Sequence, residues 1–379
     1  MRLSSPLWRC GAFFFLLILA GCGADKPSPS GAIAADNSPC NSPGSAVNWQ
    51  ALQHSRCQRL SDYRLFNGQP DQPASTNGGL YYQLSSQLFT DHARKHRYIF
   101  LPPEQRIGYQ AREVLDFPPG TTLVKVFSLP DISTTEAAQT IIEIRLLIRR
   151  DSGWIFIPYR WHNELQDGVL STAGHRQSVS FMHNTARLEF DYQAPSQLRC
   201  QTCHQHNDNG RLSFTPIGPK VRHLNRDISV DGQRINQLQH WQHLGLIKLP
   251  APPHQLAVAP DWRDASQALQ QRAKAYLDIN CGHCHSDSGA AALSGLRLEY
   301  WRDVGYAHGV CNSAHGWRGG GFDIWPGRGD ISSLPLRMEL SEAKDRMPPL
   351  GRSVSDDSAI VLIRQWIDSL PAQDCAAIN

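Results

Sequence analysis

The sequence predicts a multidomain α+β chain: an antiparallel β-sandwich or barrel at residues 58–198, followed by mainly α-helical segments at 199–260 and 261–379. Three observations carry this. Between 58 and 198, β-branched and aromatic runs alternate with short polar turns, and no convincing amphipathic helix occurs. Beyond residue 260 two apolar stripes recur at helical spacing. The pattern C-x-x-C-H occurs twice, once in each C-terminal segment.

The strands come in pairs. Leu123-Val-Lys-Val-Phe127 is followed by Ile141–Ile148, which turns through Asp151-Ser-Gly153 into Trp154–Tyr159. Val179–Met182 and Arg187–Tyr192 are joined through His183-Asn-Thr. Such runs with two- or three-residue polar turns are antiparallel hairpins. Trp161-His162-Asn163-Glu164 sets a His near a Glu, a combination able to move protons. Adjacent strand residues point to opposite faces, and a hairpin end is the simpler reading.

The helices are marked equally well. Leu269, Ala273, Tyr276 and Leu277 share one face of a stretch from Ala265 to Asn280, with Asp264 placed to cap it. Ser355-Asp-Asp opens a second helix with Ile360, Ile363, Trp366, Ile367 and Leu370 on one side, closed by Pro371. A third helix, Ile235–Ile247, should pack through Leu238, Trp241 and Leu244.

With 379 residues the chain is long enough for two or three domains. Its net charge is only +3, and Lys and Arg are scattered without a basic run, which argues against a nucleic-acid partner. The N-terminus has Arg2 and Arg9, then the apolar run Cys10–Leu19, too short to span a bilayer and suited to a signal peptide over 1–21. That run ends in Leu19-Ala20-Gly21-Cys22, the pattern of a lipobox, which makes Cys22 the expected lipidation site. Gly23 after it favours passage to the outer membrane. From Gly23 to about Asn48 the chain is Gly, Ala, Ser, Pro, Asn and Asp, and residues 22–57 are assigned to a flexible tether.

Cys200-Gln-Thr-Cys-His204 and Cys281-Gly-His-Cys-His285 match the attachment pattern of c-type haem. Two thiols three positions apart reach both vinyl groups of one porphyrin, and the adjacent imidazole meets the iron. For this composition one chance match is expected about 0.01 times per chain, so two are not coincidence. Zinc also uses C-x-x-C pairs, but a His directly after the second Cys is demanded by haem and not by zinc. Cys200, Cys203, Cys281 and Cys284 are therefore the expected covalent attachments of two haems, and His204 and His285 the proximal iron ligands.

Four cysteines remain, an even number in an exported chain, which suggests two disulfides. Of three possible pairings, Cys40–Cys57 and Cys311–Cys375 are preferred because each lies within one domain. In the second haem segment, helix, haem motif, a Met347-Pro-Pro loop and a terminal helix follow the order of a class I cytochrome c. Met347, 62 positions after His285, is the expected distal ligand of the second haem, with Met338 next in line. No methionine lies between His204 and Met338, so the first haem must find its distal ligand elsewhere. His223 is the best local candidate; Met182 or an open iron are alternatives. His206 is too close to His204 to reach over the ring, and His240 and His243 lie on the Ile235–Ile247 helix.

With these residues in hand, the chain resembles a family of bacterial dihaem c-type cytochrome lipoproteins, from Leu60 to Cys375. The matching stretches include Leu60-Ser-Asp-Tyr-Arg-Leu-Phe66, Phe117-Pro-Pro-Gly-Thr-Thr-Leu-Val-Lys125, Ile217-Gly-Pro219, Leu224-Asn-Arg-Asp227, Ala275-Tyr-Leu-Asp-Ile-Asn-Cys281 and Met347-Pro-Pro-Leu-Gly351. The resemblance implies haem binding and electron transfer with redox partner proteins, and supplies no substrate. His223 is not part of its pattern. The expected function is electron transfer at the periplasmic side of an outer membrane, from the first haem to a His/Met second haem of raised potential. The alternative is a dihaem oxidoreductase, peroxidase- or dehydrogenase-like, with its substrate site between the β-domain and the first haem. The stretch from His204 to Cys281 contains no Glu, which counts against a peroxidase.

Overall fold

The β-forming runs of the N-terminal half pair in chain order as an antiparallel meander. The computed structural model describes residues 38–130, 139–317 and 319–377; the expected signal peptide and Cys22 lie outside them. One sheet contains β1 (Leu80–Tyr81), β2 (Arg94–Phe100), β3 (Thr122–Pro130), β4 (Gln139–Arg150), β5 (Gly153–His162) and β6 (Asp167–Leu170). Tyr98 lies opposite Val124, Val124 opposite Leu146, and Leu146 opposite Ile157. Because strand side chains alternate, this row and its same-face neighbours form one apolar surface. The outer strands β1 and β6 pair with no further strand among the described residues, so the sheet is an open meander rather than a closed barrel. A separate hairpin, β7 (His175–His183) with β8 (Ala186–Ala194), packs through Phe181 and Tyr192 against Phe127, Leu129 and Ile142.

The apolar face is covered by the segment before it. Helix α1 (Trp49–His54) buries Ala51 and Leu52 in one core with Tyr98, Val124, Leu146 and Ile157. Cys40 and Cys57 form a disulfide across it, and the Tyr159 hydroxyl donates to the Cys57 carbonyl at 2.8 Å. Residues 38–57 are therefore part of the folded body and not of a tether. Their low apolar content concealed this, because one six-residue helix with two inward residues makes no periodic signal.

The C-terminal half is mainly short helices with small hairpins between them. Helix α2 (Gln197–His204), capped by Ser196, carries the first C-x-x-C-H motif. The hairpin β9 (Gln205–Asp208) with β10 (Arg211–Phe214) follows, then α3 (Val221–Leu224) and the hairpin β11 (Asp227–Val230) with β12 (Gln233–Asn236). Helix α4 (Gln237–His243) is shorter than Ile235–Ile247. Ile235 pairs with Ile228 in the hairpin, Asn236 caps the helix, and Gly245 has a φ of 72° beyond its end. Leu238 and Trp241 are buried as expected, whereas Leu244 is 51% exposed. Helix α5 (Leu269–Asn280) starts later than Ala265, because Asp264 binds the Ser266 backbone and hydroxyl in a turn instead of capping. After α6 (Ser333–Glu339), α7 (Asp357–Asp368) is capped by Asp356 and buries Ile360, Ile363, Trp366 and Ile367.

These helices build a core of their own around Tyr276, Leu277, Met338, Ile363 and Trp366. The segment of the first C-x-x-C-H motif does not. Its Cys200, Val221, Leu238 and Trp241 share a core with Ile99, Leu123, Leu147 and Phe156 of the sheet and with Ile279 of α5. The residues from Ser38 onward accordingly form one compact unit. Cys311 and Cys375 form the second disulfide. No helix among the described residues is long and apolar enough to cross a membrane.

Candidate functional site

Both C-x-x-C-H motifs open into one cavity of about 1570 Å³ counted out to its mouth. Cys200, Cys203 and His204 line it from α2, and Cys281, His283 and His285 from the turn after α5. The two motifs touch. The Sγ atoms of Cys203 and Cys284 and a ring nitrogen of His283 lie within 4.8 Å of one another. Outside the motifs, the Asn207 amide donates to the Ser288 carbonyl at 2.7 Å, and His206 Nδ1 lies 2.9 Å from the Ser288 hydroxyl.

Each motif imidazole is oriented from behind. His204 Nδ1 sits 2.7 Å from the Thr215 carbonyl, which can only accept, so Nδ1 carries the proton. His285 Nδ1 lies 3.0 Å from the Ser294 hydroxyl, which itself donates to the Ala291 carbonyl, so here too Nδ1 is the donor. In both rings Nε2 is left as the lone-pair nitrogen, the tautomer that a metal-ligating histidine presents. Burial holds both imidazoles neutral: it lowers His204 well below the ordinary range and, with His283 adding to it, lowers His285 to about 4. Phe156 packs on the His204 ring with centroids 4.6 Å apart. The Cys203 thiol is pulled down to about 4 by hydrogen bonds from Cys284 and His283, and the Cys284 thiol is pushed up correspondingly.

Met347 lines the same cavity as His285, and so does Met338. The Met347 amide donates to the Arg337 carbonyl at 2.8 Å, and Arg352 donates to the Met347 carbonyl at 3.0 Å, which fixes the Met-Pro loop at the cavity wall. His223 is not brought to the cavity. It is fully buried, and its Nε2 lies 2.7 Å from Asp278 Oδ2. Met182 is 54% exposed on β7. His162 and Glu164 bond to each other at 2.9 Å on the exposed β5–β6 end, as a hairpin end would.

Three features escaped sequence reasoning. Asp278 is completely buried and collects Arg222 at 2.6 and 2.9 Å, His223 at 2.7 Å, Lys220 at 3.7 Å and the Tyr300 amide at 3.0 Å. Burial opposes its charge, but the Lys220 and Arg222 cations win and hold it well below the ordinary carboxylate range. Asp323, also on the cavity wall, is raised to about 7 by burial, although Asn312 donates to it at 2.6 Å. The third feature is a cationic sheet face. Arg97 lies opposite Lys125, Lys125 opposite Arg145 and Arg145 opposite Pro158, all lining the cavity, with Lys95 beside them. The sequence signal for it is i, i+2 spacing of Lys95 and Arg97 within a strand, which ordinarily marks a solvent face.

The residues fit two haems. Cys200, Cys203 and Cys281 line the cavity with both motif imidazoles and Met347, Cys284 lies beside Cys203, and thiols, imidazole nitrogens and a thioether are the donors such groups need. A zinc ion at Cys203, His283 and Cys284 would have three donors, one short of a closed structural site. Comparison with models of protein families, with curated proteins and with solved structures returns no match.

Proposed function

We propose that the chain is a c-type cytochrome, and more particularly a dihaem lipoprotein that transfers electrons at the periplasmic face of an outer membrane. Bound haem supplies one-electron exchange between ferrous and ferric iron. What supports the reading is the meeting of both C-x-x-C-H motifs at one cavity, each with its imidazole held as the Nε2 ligand tautomer. Cys200, Cys203, Cys281 and Cys284 would hold two haems covalently, with His204 and His285 as proximal ligands. Met347 would complete the second iron and favour its ferrous state. Closeness of Cys203 and Cys284 suits direct passage between the two groups. Cys22 would anchor the chain to the membrane, and redox proteins would be its partners.

A dihaem oxidoreductase is favoured by one observation, Asp323 on the cavity wall with a pKa near 7, suited to proton transfer at neutral pH. The test is a protein made in a host that matures c-type cytochromes. Intact mass should show two covalent haems, and the ferric spectrum two low-spin irons. A chain without covalent haem sinks the proposal. A high-spin iron that turns over peroxide selects the oxidoreductase instead.

A further inference from the structure

The face of the sheet that looks into the cavity is charged in a way the fold itself does not balance. Lys95 and Arg97 are 8% and 3% exposed, and Lys125 and Arg145 follow in the same cross-strand row. Among the described residues one carboxylate, Glu143, shares the face, and it is committed to Arg145 and the Tyr192 hydroxyl. Asp91 is the other carboxylate that acts on Lys95, and its Oδ1 accepts from the Ser353 and Val354 amides. Lys95 Nζ donates to the Ala93 carbonyl at 2.9 Å, and Arg97 has only 3.4 Å contacts from one nitrogen. Arg97 Nε is buried with no partner among the described residues. Among the described residues four basic side chains thus share one carboxylate on their face of a low-dielectric wall, an arrangement that is costly unless an anion completes it.

We infer that the row Arg97–Lys125–Arg145, with Lys95 beside it, binds the propionate carboxylates of a haem held in this cavity. The inference rests on the dihaem reading above and extends it to this chain's β-domain, whose purpose the motifs do not reveal. Arginine and lysine are the two side chains that hold carboxylates in buried sites, the first as a planar fork and the second as a point charge. The sheet would then serve as the wall that orients that haem.

The experiment uses the haem-loaded protein with Lys125→Met, Arg97→Met, Lys125→Arg and the exposed control Arg234→Met, on the β11–β12 hairpin. Neutralising a cation that the described fold leaves without a carboxylate of its own should not prevent folding, and the two Met variants test the row independently. Covalent haem is counted by mass, and the propionate-bending bands are read by resonance Raman. With two haems present, one haem's band should shift in both Met variants, return in Lys125→Arg and stay fixed in Arg234→Met. Unchanged bands with two haems present overturn the inference alone. So does a saturable Soret shift when acetate is added to the native protein but not to Lys125→Met, because the row would then take a free anion. Absence of haem from the native protein is a different failure, that of the functional reading itself.

Discussion

At the scale of single residues, Asp278 decides more than its neighbours in the haem motif. A lone buried carboxylate is costly, and this one is retained because Arg222, His223 and Lys220 surround it. Removing it leaves three cationic or protonatable groups unpaired in the interior. Asp278→Ala should therefore lose about 3–5 kcal/mol of stability, read from urea melts by far-UV circular dichroism. A loss below about 1 kcal/mol would show that the network is solvated and weak. The pH sense follows from the depressed pKa. Unfolding returns Asp278 to the ordinary carboxylate range, so its stabilisation is complete above that range and is lost as pH falls through its lower folded value. The Asp278→Ala variant should accordingly lose its deficit relative to the native chain in strong acid. His223 illustrates why its role was not legible. Sequence placed it in the right segment for an iron ligand, but only the fold reveals that its Nε2 is already taken.

At the scale of elements, the two disulfides close loops of different length, 17 and 64 residues of separation. In the chain-entropy view the longer loop constrains the unfolded chain more, about 4 kcal/mol against about 3 kcal/mol. Cys311→Ser with Cys375→Ser should lower the melting temperature more than Cys40→Ser with Cys57→Ser. The reverse order would mean that the Cys40–Cys57 bridge acts through the native contacts of α1. Their pairing was readable because both partners lie close in sequence or within one helical domain. Strands β3, β4, β5, β7 and β8 were readable too, since β-branched runs and polar turns are local signals. The late start of α5 was not, because Asp264 serves a turn as readily as a cap. Nor was the exposure of Leu244, which a helical wheel assigns inward but the short α4 leaves outside.

At the scale of the whole molecule, the sequence suggested separate β and haem domains, and the fold joins them around one cavity. The cause is physical: charges at alternate strand positions look like a solvent face, and nothing local says that haem-motif residues will cover them. Since Cys203 and Cys284 lie within 4.8 Å, two haems held there must be near neighbours. Soret circular dichroism should then give a bisignate, exciton-coupled band, and the ferric haems should show magnetic interaction in electron paramagnetic resonance. Two additive, independent haem spectra would contradict that closeness. Asp278 carries a further consequence for how such a chain can be rebuilt. Its own helix belongs to the C-terminal segment, while Lys220, Arg222 and His223 belong to the one before. The two parts that carry the C-x-x-C-H motifs are thus not interchangeable cassettes. A chimera that swaps either one at residue 260 inherits half of an ionic lock, and must import the matching half or fold poorly.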